Sequence, residues 1–183
     1  MKEKNTPKVW DKVWEKGNSI EKNNYEFSKI KNSIHWCRMK KILIKKFGSL
    51  KGIKSIEIGS GSGMYSLLLA SEGADVTILD YSKKAIKASK LLFSQNNQKG
   101  KFIEEDAFNL DKSLLSKFDL SMSFGTAEHF SEEKRLNFIK IHFEVLSKGG
   151  ITFISVPNKW NFSYRLHKFL SETFGKWNFG EEY

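Results

Sequence analysis

Glu57, Gly59, Gly61, Gly63, Asp80, Asp106 and His129 are the residues of this 183-residue chain whose types and spacing carry chemistry. In the run Ser55-Ile56-Glu57-Ile58-Gly59-Ser60-Gly61-Ser62-Gly63, glycines alternate after a short apolar segment that reads as a strand. Gly59 permits a tight turn, Gly61 leaves bare backbone for a ligand to approach, and Gly63 lets the following helix pack closely. A glycine trio alone serves many strand-to-helix turns. A dinucleotide fingerprint needs G-x-G-x-x-G, and Met64 occupies its last position. Glu57, two residues before the first glycine, suits a ligand ammonium and would repel a pyrophosphate. The run speaks against NAD or FAD.

Asp80 stands 21 residues after Gly59, at the end of a second strand candidate. A carboxylate there can accept two hydroxyl hydrogen bonds from a ribose; its other role is a helix cap beside Ser82. Asp106 follows Phe102-Ile103-Glu104-Glu105, a third strand candidate, and can accept from an adenine amino group. Three acidic side chains at the C-terminal ends of successive strands converge on one crevice, where open α/β sheets take ligands. His129, within Gly125-Thr126-Ala127-Glu128-His129-Phe130, is the best candidate for a general base toward a nucleophilic oxygen or nitrogen. Its other role is to brace the helix opening near Ser131. His35, His142 and His167 are scattered and read as structural or surface residues.

These residues need elements to hold them. Val9, Trp10, Val13 and Trp14 fall on one face of a helix over 8–17, and Ser19 to Asn24 reads as a polar break. Phe27, Ile30, Ile34, Cys37, Ile42 and Phe47 predict one long helix from Tyr25 to Phe47, with Gly48 just past its end. The period then changes. Strands are expected at Lys54–Ile58, Ala74–Leu79, Lys101–Glu105, Phe118–Phe124 and Ile151–Val156. Helices separate them at Ser62–Ser71, from Ser82 to about Gln95, and from Ser131 through Leu146, the last stopped by Gly149-Gly150. Strands alternating with helices mean βαβ units and a parallel sheet. Residues 1–50 form an N-terminal helical cap over the site, and 51–183 the sheet domain, in one structural unit. Trp10, Trp14, Tyr25 and Trp36 are candidates to wall an acceptor pocket or face a cation.

The run Glu57-x-Gly59-x-Gly61-x-Gly63, Asp80, Asp106-Ala107, Phe118-Asp119-Leu120 and Leu146-x-x-Gly149-Gly150 resembles the class I S-adenosylmethionine-dependent methyltransferases over about residues 53–158. The resemblance implies a Rossmann-like, doubly wound parallel sheet of about five strands in the order 3-2-1-4-5. It implies S-adenosyl-L-methionine as cofactor, its methionine part held by Glu57 and the loop Gly59, Ser60, Gly61 and Gly63. It further implies Asp80 on the ribose hydroxyls, Tyr81 against the adenine, and Asp106 with Ala107 at the adenine amine. Gly125 to His129 is similar to the small-residue-x-x-Glu-His segment of many small-molecule members. Quinone-type O-methyltransferases carry an acidic residue three positions before that Glu-His. Here Gly125 stands there, so a metal site is not expected.

The family's sheet has seven strands, the last two an antiparallel hairpin. Only 26 residues follow Pro157 (183 − 157), and Phe162, Leu166, Phe169, Leu170 and Phe174 are spaced as a helix, so the hairpin is expected to be missing. Ile151–Val156 then becomes an edge, open to self-association or to cover by that helix.

Composition bounds the rest. The chain carries 31 Lys+Arg against 21 Asp+Glu, a net charge of +10, and residues 1–50 supply 13 − 5 = +8 of it. A basic third can serve nucleic acid, yet only Arg38, Arg135 and Arg165 are arginines, the residue that reads phosphate and guanine with a bidentate fork. The fourth-strand end also lacks the Asn/Asp-Pro-Pro-Tyr type of segment. A small-molecule O- or N-acceptor is therefore favoured over RNA. A cofactor-binding module without catalysis, acting through a partner, stays open as a second class. One cysteine, Cys37, excludes an internal disulfide, and no apolar run reaches the ~18 residues of a membrane span. A cytoplasmic protein is expected.

Overall fold

The computed structural model describes residues 5–16, 20–158, 160–174 and 182, with the side chains of 15, 16 and 20–25 outside that description. Five parallel strands form one sheet in the order β3-β2-β1-β4-β5. They are β1 (Lys54–Ile58), β2 (Asp75–Asp80), β3 (Lys101–Glu104), β4 (Phe118–Phe124) and β5 (Leu146–Ser155). The helices are α1 (Pro7–Lys16), α2 (Ile20–Lys31), α3 (Ile34–Phe47), α4 (Met64–Ser71), α5 (Lys83–Gln95), α6 (Glu132–Glu144) and α7 (Phe162–Thr173). This is the expected order. β1 lies between β2 and β4, with Glu57 opposite Ile78 on one side and Met122 on the other.

Alternation along the inner strands divides the core in two. Ile78, Leu120 and Met122 face α3, α4 and α5, where Met39, Leu43, Leu67, Leu92 and Phe93 are buried. Ile56, Ile58, Leu79 and Phe118 face the other way, onto Phe138 and Ile141 of α6. At about 25 cal/mol per Å² of apolar surface, these faces hold the sheet between its helices. The strand order reverses beside β1, so a crevice opens at the C-terminal ends of β1 and β4.

Two boundaries differ from the periodicity. Tyr25 to Phe47 is two helices, and Ile20 to Asn24, expected as a break, belongs to the first; Ser19 lies outside the described residues. Ser33 makes the division. Its hydroxyl accepts the Trp36 N–H at 3.1 Å as an N-cap and donates to the Ile30 carbonyl at 2.7 Å, closing one helix and opening the next. The apolar spacing runs across both helices, which hides the break.

The second difference lies at the sheet edge. α6 ends at Glu144, and β5 already begins at Leu146, so Gly149-Gly150 sits inside the strand rather than ending a helix. Gly149 takes φ +83°, and the β4–β5 register shifts between Phe118 and Leu120. Glycine at that irregularity lets one strand absorb the shift. α7 forms where helical spacing predicts it, capped by the Asn161 side chain on Tyr164 N–H at 3.1 Å. Among the described residues it makes no extended packing with β5. Residues 178–181 and 183, expected to be too few for further strands, lie outside the described residues. Among the described residues no helix is long and apolar enough to cross a membrane.

Candidate functional site

The glycine loop is tied on three sides. Gly59 has φ +68°, and a Cβ built there would come within 2.5 Å of Thr126 Cγ2. Thr126 Oγ1 donates to the Gly59 carbonyl at 3.0 Å, so the loops after β1 and β4 are locked together. Gly61 donates its N–H to Asp80 Oδ2 at 2.9 Å, and its carbonyl accepts from Ser89 Oγ at 2.7 Å. The bare backbone at Gly61 is approached by the Trp14 indole, which a Cβ would meet at 2.3 Å. The sequence assigned this bare backbone to a ligand, and in the structure the Trp14 side chain of α1 packs against it.

Asp80 ends β2 with only 6% of its surface exposed. Its Oδ1 accepts the Ser82 N–H at 2.8 Å, while Ser82 Oγ caps α5 by accepting the Ala85 N–H at 3.1 Å. Asp80 thus braces the start of α5 and holds the glycine loop, and the Tyr81 backbone N–H donates to it as well. Burial pushes its carboxyl up to about 6, the Ser82 and Gly61 N–H groups pull it back, and Asp11 raises it again.

Glu57 is buried at the end of β1. Its Oε2 accepts both the N–H and the hydroxyl of Ser66, at 3.0 and 2.5 Å. Burial raises Glu57 to about 7 despite Ser66, with Asp80 adding to the rise. Asp106 is exposed and accepts the Phe108 N–H at 3.0 Å, opening the short turn Ala107–Asn109. Glu57, Gly59, Ser60, Gly61, Asp80 and Tyr81 line one cavity of about 690 Å³ together with Asp106, Ala107, Gly125 and His129. That volume lies within the roughly 300–1,000 Å³ usual for small-molecule sites. Of the predicted site residues, Gly63 alone is not on the wall; its φ of +68° begins α4, which packs close to Ser89 and Ile78.

His129 lies in the turn Ala127–His129, 7% exposed, with the Trp10 ring edge-on at 4.7 Å. Trp10 and Trp14 line the cavity, whereas Trp36 is buried in the core with Met39 and Leu43. The Tyr25 side chain lies outside the described residues. The N-terminal segment is held by polar contacts: Asn5 Nδ2 donates to the His129 carbonyl at 2.8 Å, and Asp11 Oδ1 accepts from Ser82 Oγ at 2.7 Å and Lys84 N–H at 3.1 Å.

The sequence reading missed four cavity residues. Glu128 is buried, its Oε2 has no hydrogen-bond partner among the described residues, and burial raises its carboxyl to about 7, its own backbone N–H opposing, Glu182 raising it further and Arg135 lowering it. Tyr164 donates its hydroxyl to Glu182 Oε1 at 2.5 Å, and Lys168 Nζ reaches Glu182 Oε2 at 2.7 Å. Thr126, the last, binds Gly59. Glu128 was visible beside His129, but Tyr164 comes from a segment that shows only helical spacing and Glu182 from beyond it, where no pattern marks a site.

An open parallel sheet with its crevice at the reversal of strand order, glycine-turned at β1 and acidic at β1 and β2, defines a Rossmann-like nucleoside-binding architecture. The chain belongs to the methyltransferase-domain family, whose description matches residues 56–150. It is 33% identical over 129 residues to a ubiquinone biosynthesis O-methyltransferase of Pelagibacter ubique, covering 70% of this chain and 52% of that one. It is 32% identical over 164 residues to an uncharacterized methyltransferase of Bacillus subtilis, covering 82% and 60%. Its fold is similar to that of the PH0226 protein from Pyrococcus horikoshii, with a TM-score of 0.61 at 23% identity over 79% of this chain and 64% of that one. The chain spans about half to three-fifths of the length of these curated relatives.

Proposed function

We propose that this chain binds S-adenosyl-L-methionine in the cavity and transfers its methyl group to an oxygen or nitrogen of a small-molecule acceptor. One observation carries the reading. Glu57, Asp80 and Glu128 are three buried carboxyls facing one cavity, each pushed up by burial. Such a group of acids is completed by a ligand that brings positive charge. A molecule with an ammonium, a sulfonium and a ribose fits the donors and acceptors present. Glu57 takes the ammonium, the Asp80 carboxylate takes the ribose hydroxyls, and Tyr81 and Asp106 lie toward the base.

When bound, the cofactor supplies an electrophilic sulfonium methyl with a neutral thioether as leaving group. The protein's share is then placement: the glycine loop fixes one end, while Gly125 to His129 forms the wall nearest the loop through Thr126. His129 takes the proton that the acceptor's nucleophile gives up. A cytoplasmic setting belongs to the same reading, because Cys37 is a free, exposed thiol of the kind reducing compartments maintain.

Calorimetric titration tests it. Asp80→Ala should weaken S-adenosylmethionine binding by about 1.5–3 kcal/mol through lost charge-assisted hydrogen bonds. Unchanged affinity in a folded variant, or tighter binding of NAD than of S-adenosylmethionine, contradicts the assignment.

A further inference from the structure

The cavity wall is strongly biased in charge. Among its described residues, Glu57, Asp80, Glu105, Asp106, Glu128 and Glu182 are acidic, and Lys134 is the one lysine or arginine. In the reading above, Glu57, Asp80 and Asp106 serve the cofactor. Glu182 is already engaged by Tyr164 and Lys168. Glu128 differs. The residue is 9% exposed, its Oε1 lies 3.5 Å from where a Gly125 Cβ would stand, and its Oε2, shielded from solvent, has no hydrogen-bond partner among the described residues. Arg135, the nearby cation, turns its guanidinium to the backbone: Nε donates to the Ala127 carbonyl and Nη2 to the Phe130 carbonyl, both at 3.0 Å. A buried carboxylate with one oxygen unsatisfied is a costly arrangement, offset when a ligand in the cavity that Glu128 lines donates to the same carboxylate.

The surroundings define what would fill it. Trp10, Phe108, Phe130 and Phe138 bring apolar rings to the same cavity, Phe108 and Phe130 meeting edge to face at 5.1 Å. An aromatic or similarly flat apolar body fits among them. An anionic group would have to settle on a wall with six acidic residues and one lysine among its described members, which the charge of the wall opposes.

We propose that Glu128 is the acceptor-recognition carboxylate of this site, and that it selects molecules carrying an N–H or O–H donor on an apolar, ring-sized body without negative charge. This rests on the function proposed above and adds the acceptor's class. Burial also holds the Glu128 carboxyl near neutrality, so a cationic or strongly donating partner stabilises its ionised form.

The test is binding of four probes of similar size: 2-phenylethylamine, 4-ethylphenol, ethylbenzene and 3-phenylpropanoate. Each is titrated into the wild-type chain, Glu128→Gln and Glu128→Leu, with and without S-adenosylhomocysteine. The amine or the phenol should bind the wild type about tenfold more tightly than ethylbenzene and 3-phenylpropanoate, as one charge-assisted hydrogen bond provides. Glu128→Leu should abolish that preference. Glu128→Gln separates the two sources, erasing an amine preference that needs the charge and keeping most of a phenol preference that needs only an acceptor oxygen. Either pattern supports the proposal. Equal affinity for all four, tightest binding of 3-phenylpropanoate, no detectable binding of either donor, or a donor preference unchanged in both variants overturns it. Failure of S-adenosylhomocysteine itself to bind would instead overturn the functional reading, and the cofactor-free titrations would still judge Glu128.

Discussion

Glu57 illustrates how a side chain is prepared for a ligand at the cost of the empty protein's stability. Its folded pKa of about 7 lies above the ordinary 4.5, so the folded state holds more protons than the unfolded state across that window. Stability from this group is therefore present below about pH 4.5 and lost as pH rises through 7, by about 3 kcal/mol. Asp80 and Glu128 act in the same direction. His142 acts in the opposite one, because burial lowers it to about 4 and its protonation opposes folding below 6.5. Comparing melting temperatures of the wild type and Glu57→Gln isolates the first effect. The wild type should lose ground to the variant between about pH 5 and 8, and a constant difference contradicts it. His129 belongs to the chemistry rather than to cofactor binding. His129→Ala should lower turnover by about 10²–10⁴ with cofactor affinity nearly intact. Near-full turnover would leave His129 as a brace for Trp10, and catalysis as placement alone. At this scale the sequence was legible where an acid stood at a strand end, as Glu57 and Asp80 do. It was not legible where a partner comes from a distant segment: Ser66 on Glu57, Thr126 on Gly59 and Asp11 on Ser82 leave no local pattern.

Elements show the same division. All five strands and the helices between them follow from apolar runs punctuated by glycine and polar caps, since each element buries its own periodic face. The boundaries that escaped are those where a side chain or a glycine changes the backbone without changing the hydrophobic spacing. Ser33 splits a continuous apolar stripe into α2 and α3, and Gly149 lets β5 begin before the glycine pair. The edge of the sheet carries a prediction of its own. Among the described residues no strand lies outside β5 and α7 does not pack along it, while Phe162, Phe169 and Phe174 of the α7 segment are exposed. Strand edges and apolar faces of this kind pair with other chains. This chain should self-associate through β5, seen as a mass that rises with concentration in sedimentation equilibrium and as outer-edge amides that exchange slowly. A monomer at every concentration, with fast exchange along β5, contradicts it.

For the whole molecule, strand order, crevice and site fall into one scheme. The reversal of strand order beside β1 places the β1, β2 and β4 ends around one cavity, and α1 adds Trp10 and Trp14 to its wall. The overall architecture was legible because alternating strands and helices admit few topologies. That Trp10 and Trp14 wall the cavity was legible from their type and helical spacing, but the polar ties of the two end segments were not, because they are long-range: Asn5 on the His129 carbonyl, Tyr164 on Glu182. The central claim is that this cavity seats S-adenosylmethionine with its methyl facing the Gly125–His129 wall. A crystal structure of the chain with S-adenosylhomocysteine tests it most directly. The expected result has the ribose hydroxyls on Asp80, the ammonium on Glu57, and the sulfur turned toward Glu128 and His129. A ligand seated away from β1 and β2, or with its sulfur turned from that wall, would contradict the account.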